Sequence, residues 1–200
     1  MEFKYGKKER EYLKETDPLL GKVIDEIGHI KRTINPDPFS ALVESVLSQQ
    51  VSSKAAETII NRLLQKIGKI TPENLLNIGE EEIRECGISL RKVQYIKKIA
   101  QWAKEKKVDF TSLDKLSDKE VIQKLTALPG VGQWTAEMLL IFSLGRKDIV
   151  SFNDLGIRKG MMKLYNLEKL TKEEFMEYKN RYSPYGTIAS FYLWELNSKF

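Results

Sequence analysis

Apolar residues along this chain recur with helical rather than strand spacing. Phe39, Leu42, Val43, Val46 and Leu47 fall at i, i+3, i+4, i+7 and i+8, which makes one buried helix face. Ala136, Leu139, Leu140 and Ser143 repeat the pattern further on. Helix start signals stand between such runs. Asp17-Pro18, Asp37-Pro38, Thr71-Pro72 and Ser183-Pro184 each pair a capping side chain with proline at the first helical position, where its missing N–H costs nothing. Ser117-x-x-Glu120 and Thr171-x-x-Glu174 are capping-box patterns, and Gly68 and Gly145 read as helix ends. Period-two alternation is scarce, and Asp148 to Phe152 is the best extended candidate. The pattern predicts an all-α chain of about ten helices joined by short turns. No repeat, low-complexity tract or flexible linker interrupts it, so two lobes would have to be built from interleaved segments.

Composition narrows the chemistry. Two hundred residues, 42% of them hydrophobic, suffice for one substantial core or two small lobes. The formal charge of +5 permits a polyanionic partner without demanding one. Cys86 is the only cysteine and His29 the only histidine. An intramolecular disulfide, an all-cysteine metal cluster and a multi-histidine zinc site are therefore excluded. The N-terminus carries no apolar signal region and no run reaches transmembrane length, which predicts an intracellular protein without a membrane partner, in the cytoplasm or nucleoid if the source is prokaryotic.

One stretch carries more chemistry than the rest. Leu128-Pro129-Gly130-Val131-Gly132 reads as a tight turn between two helices, the first from Ser117 to Ala127 and the second starting near Gln133. Glycine there allows positive φ and lets a phosphate approach bare N–H groups, and the second helix adds a favourable N-terminal dipole. The same pattern also suits an ordinary αα-corner. Asp154 follows in Ser151-Phe152-Asn153-Asp154-Leu155. Locally it looks like a helix N-cap.

Four blocks together resemble a known family. Leu128 to Leu140 resembles the helix-hairpin-helix element of DNA repair glycosylases, with Trp134-Thr135-Ala136 close to the 3-methyladenine DNA glycosylase II branch. Asp37 to Ala56, Gly87 to Ile96 and Ser183 to Trp194 match in family order. The resemblance implies an all-α, two-lobed fold with the active site in the cleft between lobes. It places one lobe at 1–36 plus 147–200, and a central lobe at 37–146 with the helix-hairpin-helix at 117–144. It also implies a monofunctional glycosylase of base excision repair acting on double-stranded DNA with damaged bases, as a monomer. The substrates implied are alkylated purines, with 3-methyladenine and 7-methylguanine first and hypoxanthine as a further candidate.

The same resemblance assigns residues. Asp154 matches the catalytic acid, since a fixed carboxylate stabilises the cationic deoxyribose formed as an N-glycosidic bond breaks. Relatives that also cut the strand carry a lysine nucleophile where this chain has Trp134, so no Schiff base is expected. Trp134, Met138 and Trp194 match base-pocket positions, where aromatic faces attract electron-poor, cationic purines. Gln50 matches the wedge that fills the gap left by a flipped base. The N–H groups of Gly130 and Gly132, with Arg91 and Lys92, are the expected phosphate contacts. The main-chain carbonyls of Thr126, Leu128 and Val131 would hold a structural Na⁺ or K⁺. No catalytic cofactor is expected, and Cys86 alone cannot hold the iron–sulfur cluster of some relatives. One departure stands out: Gly186 occupies a position where close relatives often carry arginine. A glycosylase for uracil or an oxidised purine, and a non-catalytic helix-hairpin-helix DNA-binding module, are the competing readings.

Overall fold

The computed structural model describes residues 1–199. Among these, twelve α-helices and one 3₁₀ turn account for the regular structure, and no strand forms beyond an isolated bridge between Glu2 and Thr33. No helix is long and apolar enough to cross a membrane. The chain divides into two units, one made of Met1–Ile34 together with the chain from Gly145 onward, the other of Asn35–Leu144.

The continuous unit contains α3 (Pro38–Ser48), α4 (Ser53–Ile67), α5 (Pro72–Asn77), α6 (Glu80–Arg84), α7 (Leu90–Lys104), the 3₁₀ turn Phe110–Lys115, α8 (Asp118–Thr126) and α9 (Gln133–Phe142). Its starts follow the capping logic of the sequence. Asp37 accepts from the amides of Phe39 and Ser40, Ser52 from Ala55, Thr71 from Asn74, and Ser89 from Lys92. Ser117 and Glu120 form a complete capping box on α8. The apolar face of α3 is buried throughout, with Phe39, Leu42, Val43, Val46 and Leu47 all under 5% exposed, and packs against α4, α7 and α9.

The discontinuous unit contains α1 (Lys7–Thr16), α2 (Pro18–Ile27), α10 (Leu155–Leu164), α11 (Lys172–Tyr182) and α12 (Gly186–Lys199). Asp17 is buried at the start of α2. One of its oxygens caps Leu20, and the other accepts from the Tyr165 hydroxyl and from Arg181. This ties both N-terminal helices to α10 and α11. The tightest packing is between α10 and α12, and glycine makes it so. A Cβ on Gly160 would overlap the backbone carbonyl of Leu193. The spacing Gly156-x-x-x-Gly160 therefore puts two bare backbone positions on α10 where it meets α12.

Two local readings change in the structure. Ser183-Pro184 does not start a helix: Ser183 closes α11, the peptide bond to Pro184 is cis, and α12 begins at Gly186. The Ser183 hydroxyl and the Gly186 amide both donate to Asp148, at 2.6 and 3.0 Å, so Asp148 takes the part of the cap. The segment Asp148–Phe152 is not a strand. Its Ile149 backbone bonds side chains of α12 instead: Ile149 N–H donates to Thr187 Oγ1 at 2.9 Å, and Ser190 Oγ donates to the Ile149 carbonyl at 3.1 Å.

Candidate active site

Asp154 is the N-cap of α10 and is only 7% exposed. Its Oδ1 accepts the amide of Ile157 at 2.8 Å and the indole N–H of Trp194 at 2.9 Å. The cap reading and the acid reading thus describe one residue. The cap bond and the ring N–H fix the carboxylate from two directions, and the N-terminus of α10 presents it with a positive partial charge. A Cβ on Gly156 would stand 2.9 Å from Trp194 Cδ1 and 3.1 Å from Asp154 Oδ1. Glycine at 156 is what lets the indole reach the acid.

The helix that carries Trp194 also holds the approach to Asp154. Thr187 Oγ1 donates to the Arg146 carbonyl at 2.7 Å, and the Thr187 amide donates to the Lys147 carbonyl at 2.9 Å. Gly186 belongs to this strap. A Cβ there would lie 2.6 Å from Val150 Cγ2 and 2.9 Å from Asp148 Oδ1. With the segment strapped in this way, a side chain at 186 would crowd Val150 and Asp148, which is a physical reason for glycine there. Trp194, expected to line a base pocket, has its polar edge committed to Asp154, and its ring stacks beside Phe191 at 6.1 Å between centroids.

In the continuous unit the hairpin joins α8 to α9. Gly130 has φ of 76°, the left-handed region, and a Cβ there would overlap the ring of Tyr95. Its glycine is required by the turn and by Tyr95. Gly132 differs. Its φ is −92°, and nothing lies within 4 Å of where its Cβ would be. It is the N-cap of α9 and offers no side chain to the first-turn amides. The surface around Gly132 is thus open, with amide donors at a helix N-terminus, the arrangement that suits a phosphate. Arg91 joins this region through Tyr95: its Nε donates to the Tyr95 hydroxyl and its guanidinium lies 5.4 Å over the ring. Trp134, in the first turn of α9, is 40% exposed, while Met138 one turn later is buried. Leu128 and Val131 are buried in the turn, Thr126 at the end of α8 is exposed, and the Val131 amide donates to the Leu128 carbonyl at 3.3 Å.

The wedge candidate and one phosphate candidate meet at the end of α3. Gln50 is exposed with φ of 56°, a left-handed conformation that a non-glycine residue rarely adopts. Lys92, expected to contact phosphate, is otherwise occupied: its ammonium donates to the carbonyls of Leu47 and Gln49, at 2.7 Å each. Burial pushes this amine below its ordinary pKa. Gln49, legible in sequence only as a polar helix end, donates through Nε2 to the Gly130 carbonyl at 2.9 Å. Tyr95, Gln49, Gly156 and Gly160 are the residues that sequence reasoning missed. Only the four-residue glycine spacing offered a signal. An apolar cavity of about 500 Å³ at the opposite end of α3, lined by Phe39, Ile70, Val108 and Phe110, includes none of these residues.

The chain has known relatives. The family model for HhH-GPD superfamily base excision DNA repair proteins matches residues 43–184, well over half of the chain, and the chain belongs to that superfamily. Within it, the similarity falls in the 3-methyladenine glycosylase branch. DNA-3-methyladenine glycosylase 1 of Schizosaccharomyces pombe is 38% identical over 164 residues, which is 80% of this chain and 72% of that protein. The crystal structure of a DNA-3-methyladenine glycosidase from Bacillus halodurans matches with a TM-score of 0.90 at 36% identity, covering 100% of this chain and 94% of that one. The Schizosaccharomyces pombe 3-methyladenine DNA glycosylase in complex with abasic DNA matches with a TM-score of 0.79 at 33% identity, covering 94% and 96%.

Proposed function

We propose that this protein is a monofunctional DNA glycosylase that hydrolyses the N-glycosidic bond of alkylated purines flipped from duplex DNA, leaving an abasic site. The observation that carries the reading is the buried carboxylate of Asp154, held on Oδ1 by the Ile157 amide and the Trp194 indole. A carboxylate fixed in this way is already oriented when positive charge develops on the deoxyribose, so no reorganisation is needed in the transition state. It also orients or deprotonates the attacking water. Trp134 stands where strand-cutting relatives use lysine, so no amine is available there for a Schiff base. Its exposed indole offers a π-face to a cationic base such as 3-methyladenine or 7-methylguanine.

The DNA contacts follow from the continuous unit. The amides of Gly130 and Gly132, at the open N-terminus of α9, and the guanidinium of Arg91 supply the phosphate grip, and Gln50 supplies the wedge. The carbonyls of Thr126, Leu128 and Val131 are neutral oxygen donors, which suits a monovalent alkali cation that would stiffen the turn. The protein acts as a monomer inside the cell.

Asp154→Asn is the decisive test. Asparagine is as good an N-cap as aspartate, and its Oδ1 can accept from both Ile157 and Trp194, so the fold keeps both bonds and loses only the charge. Release of free base from methylated duplex DNA should vanish, with duplex binding nearly intact. Full release by the variant would sink the assignment. Release of uracil or an oxidised purine by the wild type, without release of methylated bases, would redirect the substrate class.

A further inference from the structure

We infer that Gln49 and Lys92 are positioning residues that fasten the wedge at Gln50 to the phosphate grip of the hairpin, so that backbone binding and base flipping are mechanically one event. The inference rests on the glycosylase reading above and deepens it.

Four contacts carry it. The Lys92 ammonium straddles the last carbonyls of α3, taking Leu47 and Gln49 at 2.7 Å each. These are groups that a helix C-terminus leaves without intrahelical donors, and a cation is favoured beside them. The Gln49 side chain then reaches across to the hairpin, donating to the Gly130 carbonyl at 2.9 Å and to Thr135 Oγ1 at 3.4 Å. The next residue, Gln50, is held at φ 56° with its side chain in solvent. A left-handed non-glycine residue persists only where its surroundings over-determine it. Here the surroundings are a main chain tied to α7 through Lys92 and a neighbouring side chain tied to the hairpin.

The consequence concerns the cost of flipping. A wedge on a loose loop would have to be ordered at the moment it enters the duplex, and fixing one residue's backbone costs a factor of about ten in an equilibrium. A wedge already ordered avoids that cost. Because Gln49 bonds the same turn whose amides grip phosphate, seating the hairpin on the backbone also sets the height of Gln50. The two carbonyls that the half-buried Lys92 ammonium holds agree with an internal brace.

The experiment compares wild type with Lys92→Met, Lys92→Arg and Gln49→Leu. Three readouts are needed: affinity for undamaged duplex as a function of salt, fluorescence of 2-aminopurine placed beside a methylated purine as a report of unstacking, and single-turnover base release. Thermal unfolding of each variant accompanies them. The expected result is duplex affinity and salt slope equal to wild type in all variants. Unstacking and release should fall about tenfold in Lys92→Met and Gln49→Leu, and Lys92→Arg should recover most of the loss. Wild-type release in both of these variants would overturn the inference. So would a Lys92→Met variant whose salt slope drops by about one phosphate, since that identifies a direct DNA contact. Gln49→Leu keeps the helix-end bonds of Lys92, so it remains informative if Lys92→Met unfolds. A wild-type protein that neither unstacks nor releases any base would instead sink the glycosylase reading, and the brace with it.

Discussion

The indole N–H of Trp194 and the amide of Ile157 donate to the same oxygen of Asp154, at 2.9 and 2.8 Å. One donor is local, supplied by the turn that Asp154 caps. The other comes from forty residues downstream, on α12, and reaches the acid because Gly156 leaves the path clear. Trp194→Phe separates the two. Phenylalanine keeps the aromatic body beside Phe191 and removes the N–H. A hydrogen bond to a charged group contributes about 1.5–3 kcal/mol, so base release should fall by roughly 10- to 100-fold. Duplex affinity should stay at the wild-type level, because no phosphate contact has changed. Single-turnover release measured beside duplex binding checks both statements. An unchanged rate would mean that the Ile157 bond alone positions the carboxylate.

The two hairpin glycines should respond in opposite ways to alanine. Gly130→Ala forces a Cβ into the Tyr95 ring at a positive φ, so the variant should lose about 2–4 kcal/mol of stability, seen as a lower urea midpoint. Gly132→Ala places its methyl in open space at an ordinary backbone conformation. Alanine is the poorer N-cap, so its stability should fall by only about 1 kcal/mol, less than in Gly130→Ala. Its duplex affinity should nevertheless drop about tenfold, because a methyl now stands where a phosphate oxygen must approach the first-turn amides of α9. Wild-type affinity in Gly132→Ala would remove this helix start from the DNA contacts.

What the sequence made legible was local. Asp17, Asp37 and Thr71 cap helices because the cap bond spans two or three residues, and the following proline fixes the helical φ. The buried face of α3 was legible because helical periodicity puts its residues on one side whatever the neighbours are. Ser183 was misread, and the internal partners of Lys92 went unseen, for one shared reason. A lysine near a helix start looks like a phosphate contact, and Ser-Pro looks like a helix start, until a distant partner claims the side chain. The Leu47 carbonyl lies 45 residues from Lys92, and Asp148 lies 35 residues from Ser183. Asp154 shows the converse. Its cap role was written in its neighbours, while its chemistry came from the family resemblance and its positioning from α12.

Acid should loosen the discontinuous unit at one identifiable point. Glu9, on α1, accepts from the Lys147 ammonium at 2.7 Å and from the Gly6 amide at 2.8 Å, and is 8% exposed. The Lys147 hydrogen bond, aided by the Gly6 amide, outweighs burial and lowers the Glu9 pKa from its ordinary 4.5 to about 2. A carboxylate with a depressed folded-state pKa favours the folded state wherever it is ionised in both states. Its contribution is therefore complete above about pH 4.5 and is lost as the pH falls toward 2. Lys147 is 43% exposed, so solvent screening brings the contribution to on the order of 2 kcal/mol. Unfolding free energies of wild type and Glu9→Gln should differ by a constant amount from pH 7 to 5 and converge between pH 4.5 and 2. A gap that stays constant down to pH 2 would show that the pair contributes through packing rather than charge. Because Lys147 begins the strap that leads to Asp154, base release by wild type at pH 7 should also exceed that of Glu9→Gln, by a smaller factor than the loss in Trp194→Phe.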